Sequence, residues 1–318
     1  GKEIVYKSVA SSDLFLENFR PGTTERLGMD YETIRKIKPD IVYVSLLGHG
    51  SAGPYRTFPG FDPLFQARSG IMVGQGGIGN QPVFLAVAIN DYGGAMLGAY
   101  AAVLGLLVRA RTGQGQHVET ALTNSAAALQ VTDFLDYKGK VHKNRGGVDL
   151  LGLNATCRLY ETADKWIFVL CAKVKHWRSL CKVLGREELI ADPRFKNEKA
   201  RESNNESLVA ILENEFARSP AAEWLDALEK AGVPCAPQLV LEDVLEDPHW
   251  LINELWAEHD HPELGRAKMT GLTAKLRETP GRIWRPAALL GQHTDQVLTE
   301  LGYSQSEIAD LRTKKVVA

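Results

Sequence analysis

The chain reads as an α/β protein built on a parallel sheet covered by helices. Three observations predict this. The front half alternates short apolar segments with amphipathic stretches of helical length, the β–α–β–α rhythm of a parallel sheet. Ile41-Val42-Tyr43-Val44-Ser45-Leu46 is apolar, β-branched and bounded by breakers, which reads as a strand. The composition, 44% hydrophobic and 24% charged over 318 residues, is ordinary for a globular protein of one large domain or two smaller ones.

Taken in order, Glu3–Ala10 suits an amphipathic helix and Asp13–Glu17 a short buried strand. Asn18–Gly22 is a turn, Tyr31–Ile37 a helix stopped by Pro39, and Ile41–Leu46 the clearest strand. Leu47–Pro59 is a loop rich in Gly, Ser and Pro, Phe61–Ser69 a short helix, Gly74–Pro82 a second glycine-rich loop, and Phe84–Ile89 a strand or extended segment. A long helix is expected over Tyr92–Arg111, with Arg109 and Arg111 suited to the negative end of its dipole. Gln116–Thr120 is a strand, followed by an apolar helix to about Tyr137. The polar stretch from Lys138 to Leu153 has the composition of a linker. Beyond it come a strand at Trp166–Leu170, helices at Trp177–Leu184, Ser203–Ala217 and Ala221–Ala231, an extended Pro234–Pro237 link, and a last helix at Thr294–Leu301.

Composition excludes several function classes. The formal net charge is −2, and the basic residues are scattered among acids, so neither a nucleic-acid nor an anionic-membrane partner is expected. The longest apolar stretch, Ala95–Val108, is shorter than the roughly 20 residues that span a bilayer, and the polar start Gly1-Lys2-Glu3-Ile4 has no signal-peptide character. Cys157, Cys171, Cys181 and Cys235 show no metal-finger or CxxC spacing, which suits free thiols in a reducing cytoplasm. The histidines form no HExxH pattern, His259-Asp260-His261 reads as surface, and no metal is expected.

Three segments bear on chemistry. Gly74-Gln75-Gly76-Gly77-Ile78-Gly79 fits G-x-G-x-x-G, but no helix opens on its last glycine, so a dinucleotide site is rejected. His49 follows the best strand, where α/β folds place ligands; it reads either as a general base or as a loop residue beside a ligand. Asp91 precedes a long helix that begins Tyr92-Gly93-Gly94. It reads either as a helix N-cap or as a nucleophilic carboxylate held ionised by the helix N-terminus, with Gly93 and Gly94 leaving room for a bulky group.

Motifs in register bear on that choice. Glu17-Asn18-Phe19-Arg20-Pro21-Gly22 is followed by Arg26-Leu27-Gly28, Pro39-Asp40-Ile41-Val42-Tyr43-Val44-Ser45, Gly53-Pro54-Tyr55 and Pro59-Gly60-Phe61-Asp62. Asp91-Tyr92-Gly93-Gly94 and Arg111-Thr112-Gly113-Gln114-Gly115-Gln116 continue the series. Asp192-Pro193-Arg194-Phe195, Ala231-Gly232-Val233-Pro234 and Leu290-Gly291-Gln292-His293-Thr294-Asp295 carry it to the end. The set resembles the family III CoA-transferases, the CaiB/BaiF group that includes formyl-CoA and carnitine CoA-transferases.

The resemblance implies a Rossmann-like large domain, a smaller α/β domain and an interlocked dimer; the family's N-terminal segment is missing from this chain, as a separate chain, a truncation or a true loss. The expected domain division is a large domain over 1–140 rejoined by 280–318, a linker over 141–150, a small domain over 151–265 and a second linker over 266–279. The loop that holds Gly146-Gly147 and Gly152-Leu153-Asn154 is less glycine-rich than the flexible loop of some members. The implied enzyme moves a sulfur-containing group, coenzyme A, between carboxylic acids through an aspartyl-CoA thioester on Asp91. By the same resemblance, Asn18, Phe19, Arg26 and Leu27 hold coenzyme A, while His49, Phe61, Asp62, Gly93 and Gly94 border the active-site loop. Coenzyme A enters as a co-substrate in acyl-CoA metabolism, with no tightly bound cofactor. The expected partners are an acyl-CoA, a carboxylic acid, and a second copy of the chain or another chain supplying the front segment. Two alternatives share the resemblance. An α-methylacyl-CoA racemase of the same fold has a His where Phe61 stands, and phenylalanine cannot abstract a proton. A non-catalytic CoA-binding or assembly subunit would form no covalent intermediate.

Overall fold

Val42, Val44 and Tyr43 are all essentially inaccessible, so the central strand is covered on both faces. That is the environment that parallel strands require and that a run of β-branched residues supplies. The structure, a computed structural model, describes residues 1–77, 79–140 and 149–317. Its first elements are α1 (Lys2–Ala10), β1 (Leu14–Glu17), α2 (Thr23–Leu27), α3 (Tyr31–Ile37), β2 (Val42–Leu47), α4 (Asp62–Ser69), α5 (Ile71–Gly76), α6 (Ile89–Thr112), β3 (Gln116–Ala121) and α7 (Leu122–Leu129). The three strands form a parallel sheet in the order β1-β2-β3, with Val42 opposite Leu14 on one side and Gln116 on the other. The expected α/β class with a parallel sheet is therefore present.

The two faces of the sheet are filled differently. On one, Tyr43 of β2 and Phe15 of β1 join Ile41, Val9 of α1, and Tyr31, Ile34 and Ile37 of α3 in one cluster. On the other lies α6, which approaches through glycines: Gly94, Gly98 and Gly105 are buried, and a Cβ at Gly105 would stand 2.5 Å from Val42 Cγ1. The large side chains of α6 face outward instead, with Met96, Tyr100, Val103 and Leu107 exposed. At 24 residues and a mean hydropathy of 1.5 over its most apolar window, α6 is long and apolar enough to cross a membrane by length and composition. One such helix is weak evidence, because a helix packed within a domain passes the same test, so the reading of Ala95–Val108 is not overturned by it. Here the helix packs on β2, β3, α4 and α7.

The chain divides into two units. One takes in Gly1–Gln75, Gln81–Asn144 and Ala288–Ala318, the other Gly76–Asn80 and Arg145–Ala287. The second unit holds β4 (Gly152–Asn154), β5 (Cys157–Glu161), β6 (Trp166–Leu170), α8 (Val174–Val183), α9 (Glu188–Ala191), α10 (Glu198–Ser203), α11 (Asn205–Phe216), α12 (Ala221–Lys230), β7 (Cys235–Pro237), α13 (Leu241–Glu246), α14 (Pro248–Ile252), β8 (Trp256–His261) and β9 (Gly265–Thr270). Strands β4 to β7 make an antiparallel sheet whose core includes Tyr160, Ile167, Trp177, Leu180, Phe195, Leu212 and Phe216. Helices α15 (Thr294–Glu300) and α16 (Gln305–Thr313) belong to the first unit, where Lys7 of α1 sits 3.8 Å from the ring centre of Tyr303.

Several local expectations are corrected. Phe84–Ile89 is not a strand: the Leu85 N–H donates to Gln66 Oε1 and the Leu85 C=O accepts from Gln66 Nε2, so a side chain replaces a ladder. The helix after β3 stops at Leu129, not Tyr137, and Gly74–Gly76 belongs to α5 rather than a loop. Residues 266–270, expected as linker, are most of β9, paired with β8. Gly152–Asn154, expected in a loop, is strand β4, while Gly146-Gly147 and most of the 141–150 linker lie outside the described residues.

Candidate functional site

All three parallel strands end on the same side, and the turns that leave them converge there. The Asn18–Pro21 turn follows β1, the loop from Gly48 follows β2, and Leu122 opens α7 directly after β3. In open α/β sheets this carboxyl edge is where ligands bind. A cavity of about 460 Å³ lies at it, lined by Asn18, Phe19, Arg20, Pro21, Gly48, Arg56, Phe58, Gly60, Phe61 and Asp91 together with Leu46, Leu47 and Leu122.

The 48–60 loop is closed by two glycines. A Cβ at Gly60 would stand 2.9 Å from Gly48 Cα, so neither position accepts a side chain without moving backbone. The Ser51 N–H donates to Glu119 Oε1 at 3.0 Å, tying the loop to β3. His49 lies inside the loop, its ring 4.7 Å from Phe65 and close to Tyr55 and Phe58. Its Nε2 is buried with no hydrogen-bond partner, and it is not among the cavity-lining residues.

Asp91 is not an N-cap. Helix α6 begins at Ile89, two residues earlier than Asp91, and Ala88 at its cap contributes no side-chain hydrogen bond. The first-turn amides are capped from another helix. Asp62 Oδ2 accepts from the Asn90 N–H at 2.6 Å and the Asp91 N–H at 3.3 Å, while Asp62 Oδ1 accepts from Gln66 Nε2. Asp62 is 3% exposed and Gln66 is fully buried. The Asp91 side chain is thus free of capping duty and lines the cavity. Partial burial, and then the charge of Asp62, hold its carboxyl above the usual carboxylate range.

The space beside Gly93 and Gly94 is not reserved for a ligand. A Cβ at Gly93 would collide with Ser125 Oγ, and one at Gly94 would come 2.7 Å from Leu122 Cδ2. These glycines let α7 approach α6, which corrects the expectation of open room. Asn18, Phe19, Phe61 and Asp91 meet in the cavity, but Arg26 and Leu27 stand exposed on α2, outside its lining. Arg20 and Arg56 were not singled out from the sequence, although both line the cavity with Asp91. The signal for Arg20 was available, since it follows a strand end by three residues; Arg56 sits nine residues into a loop whose closure only the Gly48–Gly60 approach reveals. Among the described residues no cluster of three His, Cys, Asp or Glu stands where a metal ion could be held.

Comparison with known proteins agrees with this architecture. Over its full length the chain is 32% identical to the succinyl-CoA:glutarate CoA-transferase of Mus musculus, covering 73% of it. It is 30% identical to the succinyl-CoA–D-citramalate CoA-transferase of Chloroflexus aurantiacus, again over its full length and 79% of that protein. Among solved structures, a CaiB/BaiF family protein from Brucella suis superposes with a TM-score of 0.81 at 28% identity, covering 95% of this chain and 78% of that one. Residues 1–294 match the family model described as CoA-transferase family III, and the chain belongs to that family.

Proposed function

We propose that the chain transfers coenzyme A from an acyl-CoA to a carboxylic acid through a covalent aspartyl-CoA thioester on Asp91. The observation that carries this reading is the placement of Asp91, with Arg20 and Arg56, in one cavity at the carboxyl edge of the parallel sheet. A carboxylate can be both nucleophile and leaving group toward acyl carbons, and guanidinium groups suit the phosphates and carboxylates of the two substrates.

The steps balance without any other reactant. An Asp91 carboxylate oxygen attacks the thioester carbon, the C–S bond breaks, and CoA leaves as thiolate, giving a mixed anhydride. The thiolate attacks the aspartyl carbonyl carbon, the C–O bond breaks, and the first acid leaves as carboxylate. The acceptor carboxylate then attacks the aspartyl thioester, releasing thiolate and a second anhydride. Finally the thiolate attacks the acceptor's acyl carbon and frees the Asp91 carboxylate. The thioester's energy is carried throughout in acyl bonds. In this reading Asn18 and Phe19 hold coenzyme A near the reacting end, and Arg26 and Leu27 on α2 serve its distal end. The large CoA-binding domain is 1–140 with 280–318, the protein works as an interlocked dimer, and its thiols belong in a reducing cytoplasm.

Succinyl-CoA is the first donor to try, since the names of two relatives carry it. The test mixes the protein with a panel of acyl-CoAs and hydroxylamine, and reads the Asp91 peptide by mass spectrometry. A hydroxamate on that peptide, absent from Asp91→Ala, supports the covalent route. An unmodified Asp91 in a protein that still turns over sinks it. Exchange of the α-hydrogen with deuterated water, without an acceptor acid, would support the racemase instead. The side chain where a racemase carries its base is Phe61, which lines the cavity.

A further inference from the structure

Asp62 is a buried carboxylate that the proposed chemistry leaves unused. It stands behind the cavity wall, since Phe61, and not Asp62, lines the space shared with Asp91. Its hydrogen-bond partners among the described residues are all donors: the Asn90 and Asp91 amides to one oxygen, and the Gln66 amide to the other. An ionised carboxylate accepts only, so this donor set matches the charged form. Gln66 cannot turn over to suit a protonated Asp62. Its Nε2 also donates to the Leu85 C=O at 3.1 Å, and its Oε1 accepts from the Leu85 N–H at 3.1 Å. A negative charge is therefore built in at the start of α6, hydrogen-bonded to the backbone of the residue that carries the nucleophile.

We propose that Asp62 is a positioning residue for Asp91. Its carboxylate fixes the first turn of α6 and keeps a second negative charge beside the nucleophile, so that covalent modification of Asp91, which removes the Asp91 charge, is favoured. The inference rests on the reading of Asp91 as nucleophile. Before reaction two carboxylates share the start of one helix. In the anhydride the electron pair has left with the CoA sulfur, and in the aspartyl-CoA stage it has left with the first acid. Asp91 is uncharged in both, and the repulsion from Asp62 is gone. Asp62 thereby raises the resting state relative to the covalent states, and it does so without touching substrate. Burial is the larger cause of the raised proton affinity of Asp91, and the charge of Asp62 is the second.

Among the described residues that line the cavity, the other charged groups have the opposite sign. They are Arg20 on the turn after β1 and Arg56 on the 48–60 loop. Helix α7 contributes Leu122 and Ser125, which do not titrate, and the next titratable group on α6 is Tyr92. Asp62 is therefore the negative charge on a packed element to which the effect is assigned.

The experiment follows the Asp91 carboxyl by carbon-13 NMR in aspartate-labelled protein, assigned by its loss in Asp91→Asn. The titration midpoint is measured in the unmodified chain, in Asp62→Asn and in Asp62→Ser. Both variants remove the charge and keep an oxygen that can accept an amide; Asp62→Ser serves if the Asn amide is not tolerated against Gln66. The expected result is a fall in the midpoint, the direction in which loss of a neighbouring negative charge moves a carboxyl. The acidic limb of hydroxamate trapping at Asp91 is expected to move by the same amount. A folded variant with an unmoved midpoint overturns the proposal. A moved midpoint with no hydroxamate in any form sinks the covalent route while upholding the Asp62–Asp91 coupling. Hydroxamate with an unmoved midpoint does the reverse.

Discussion

A methyl group added at Gly93 would meet Ser125 Oγ, whereas Ser125 Cβ lies at an ordinary 3.4 Å. Gly93→Ala is therefore expected to destabilise the protein by about 1–3 kcal/mol through overpacking. In a Ser125→Ala background the obstacle is gone, and the helix propensity gained, about 1 kcal/mol, should show as a net stabilisation. Ser125 Oγ has no hydrogen-bond partner in its buried site, so little is lost with it. Urea midpoints of the two single variants and the double variant test this. For Asp91 the sign is set by its raised proton affinity. The nucleophile is the ionised form, so kcat/KM should fall with decreasing pH, and the fall should begin above the range of an ordinary aspartate. A pH–rate profile with its acidic limb below that range would contradict the assignment. The residue types of the site were legible in the sequence, because Asn18, Phe19 and Asp91 sit in motifs at strand and helix ends. What Gly93 and Gly94 are for was not, because it depends on α7, which sequence places about thirty residues later.

Helix α4 acts on α6 through two side chains at i and i+4, Asp62 and Gln66, which share one helix face. Removing the Gln66 amide leaves a buried Asp62 oxygen without its partner and frees both polar groups of Leu85, at a cost of about 1–3 kcal/mol for the orphaned carboxylate oxygen. Gln66→Leu is thus expected to lower stability and to speed hydrogen exchange at the Leu85 amide, with exchange in β2 slowed or unchanged relative to that amide; equal protection of Leu85 in both proteins would contradict it. Elements with strong patterns were readable from the sequence. Strand β2 is β-branched and bounded by breakers, and β6 at Trp166–Leu170 is as plain. The start of α6 was misplaced because its cap comes from Asp62, 28 residues earlier, and no local residue marks it. Strands β8 and β9 were missed because Trp256-Ala257-Glu258-His259-Asp260-His261 is polar and half-exposed, with no apolar face to betray a strand.

Across the whole molecule the four cysteines are free. Burial pushes the Cys171 and Cys181 thiols up to about 12, and it raises Cys157 and Cys235 as well. The thiolate is the reactive form, so at pH 8 the native protein should alkylate slowly at all four positions and rapidly only after denaturation. Mass spectrometry after iodoacetamide treatment reads this directly; a fast-reacting native Cys171 or Cys181 would contradict it. The α/β character was evident from alternation in the front half, whereas the division into units was harder to read, since the chain returns to the first unit at Ala288 through a stretch with little pattern.

The glycine face of α6 has a thermodynamic consequence. With Gly105 against Val42 of the sheet and Gly94 against Leu122 of α7, the ridge of Met96, Tyr100, Val103 and Leu107 is left to water. Hydrating such a ridge raises the heat capacity of the free chain. Any association that covers it must therefore release that contribution, and its binding enthalpy must grow more negative as temperature rises.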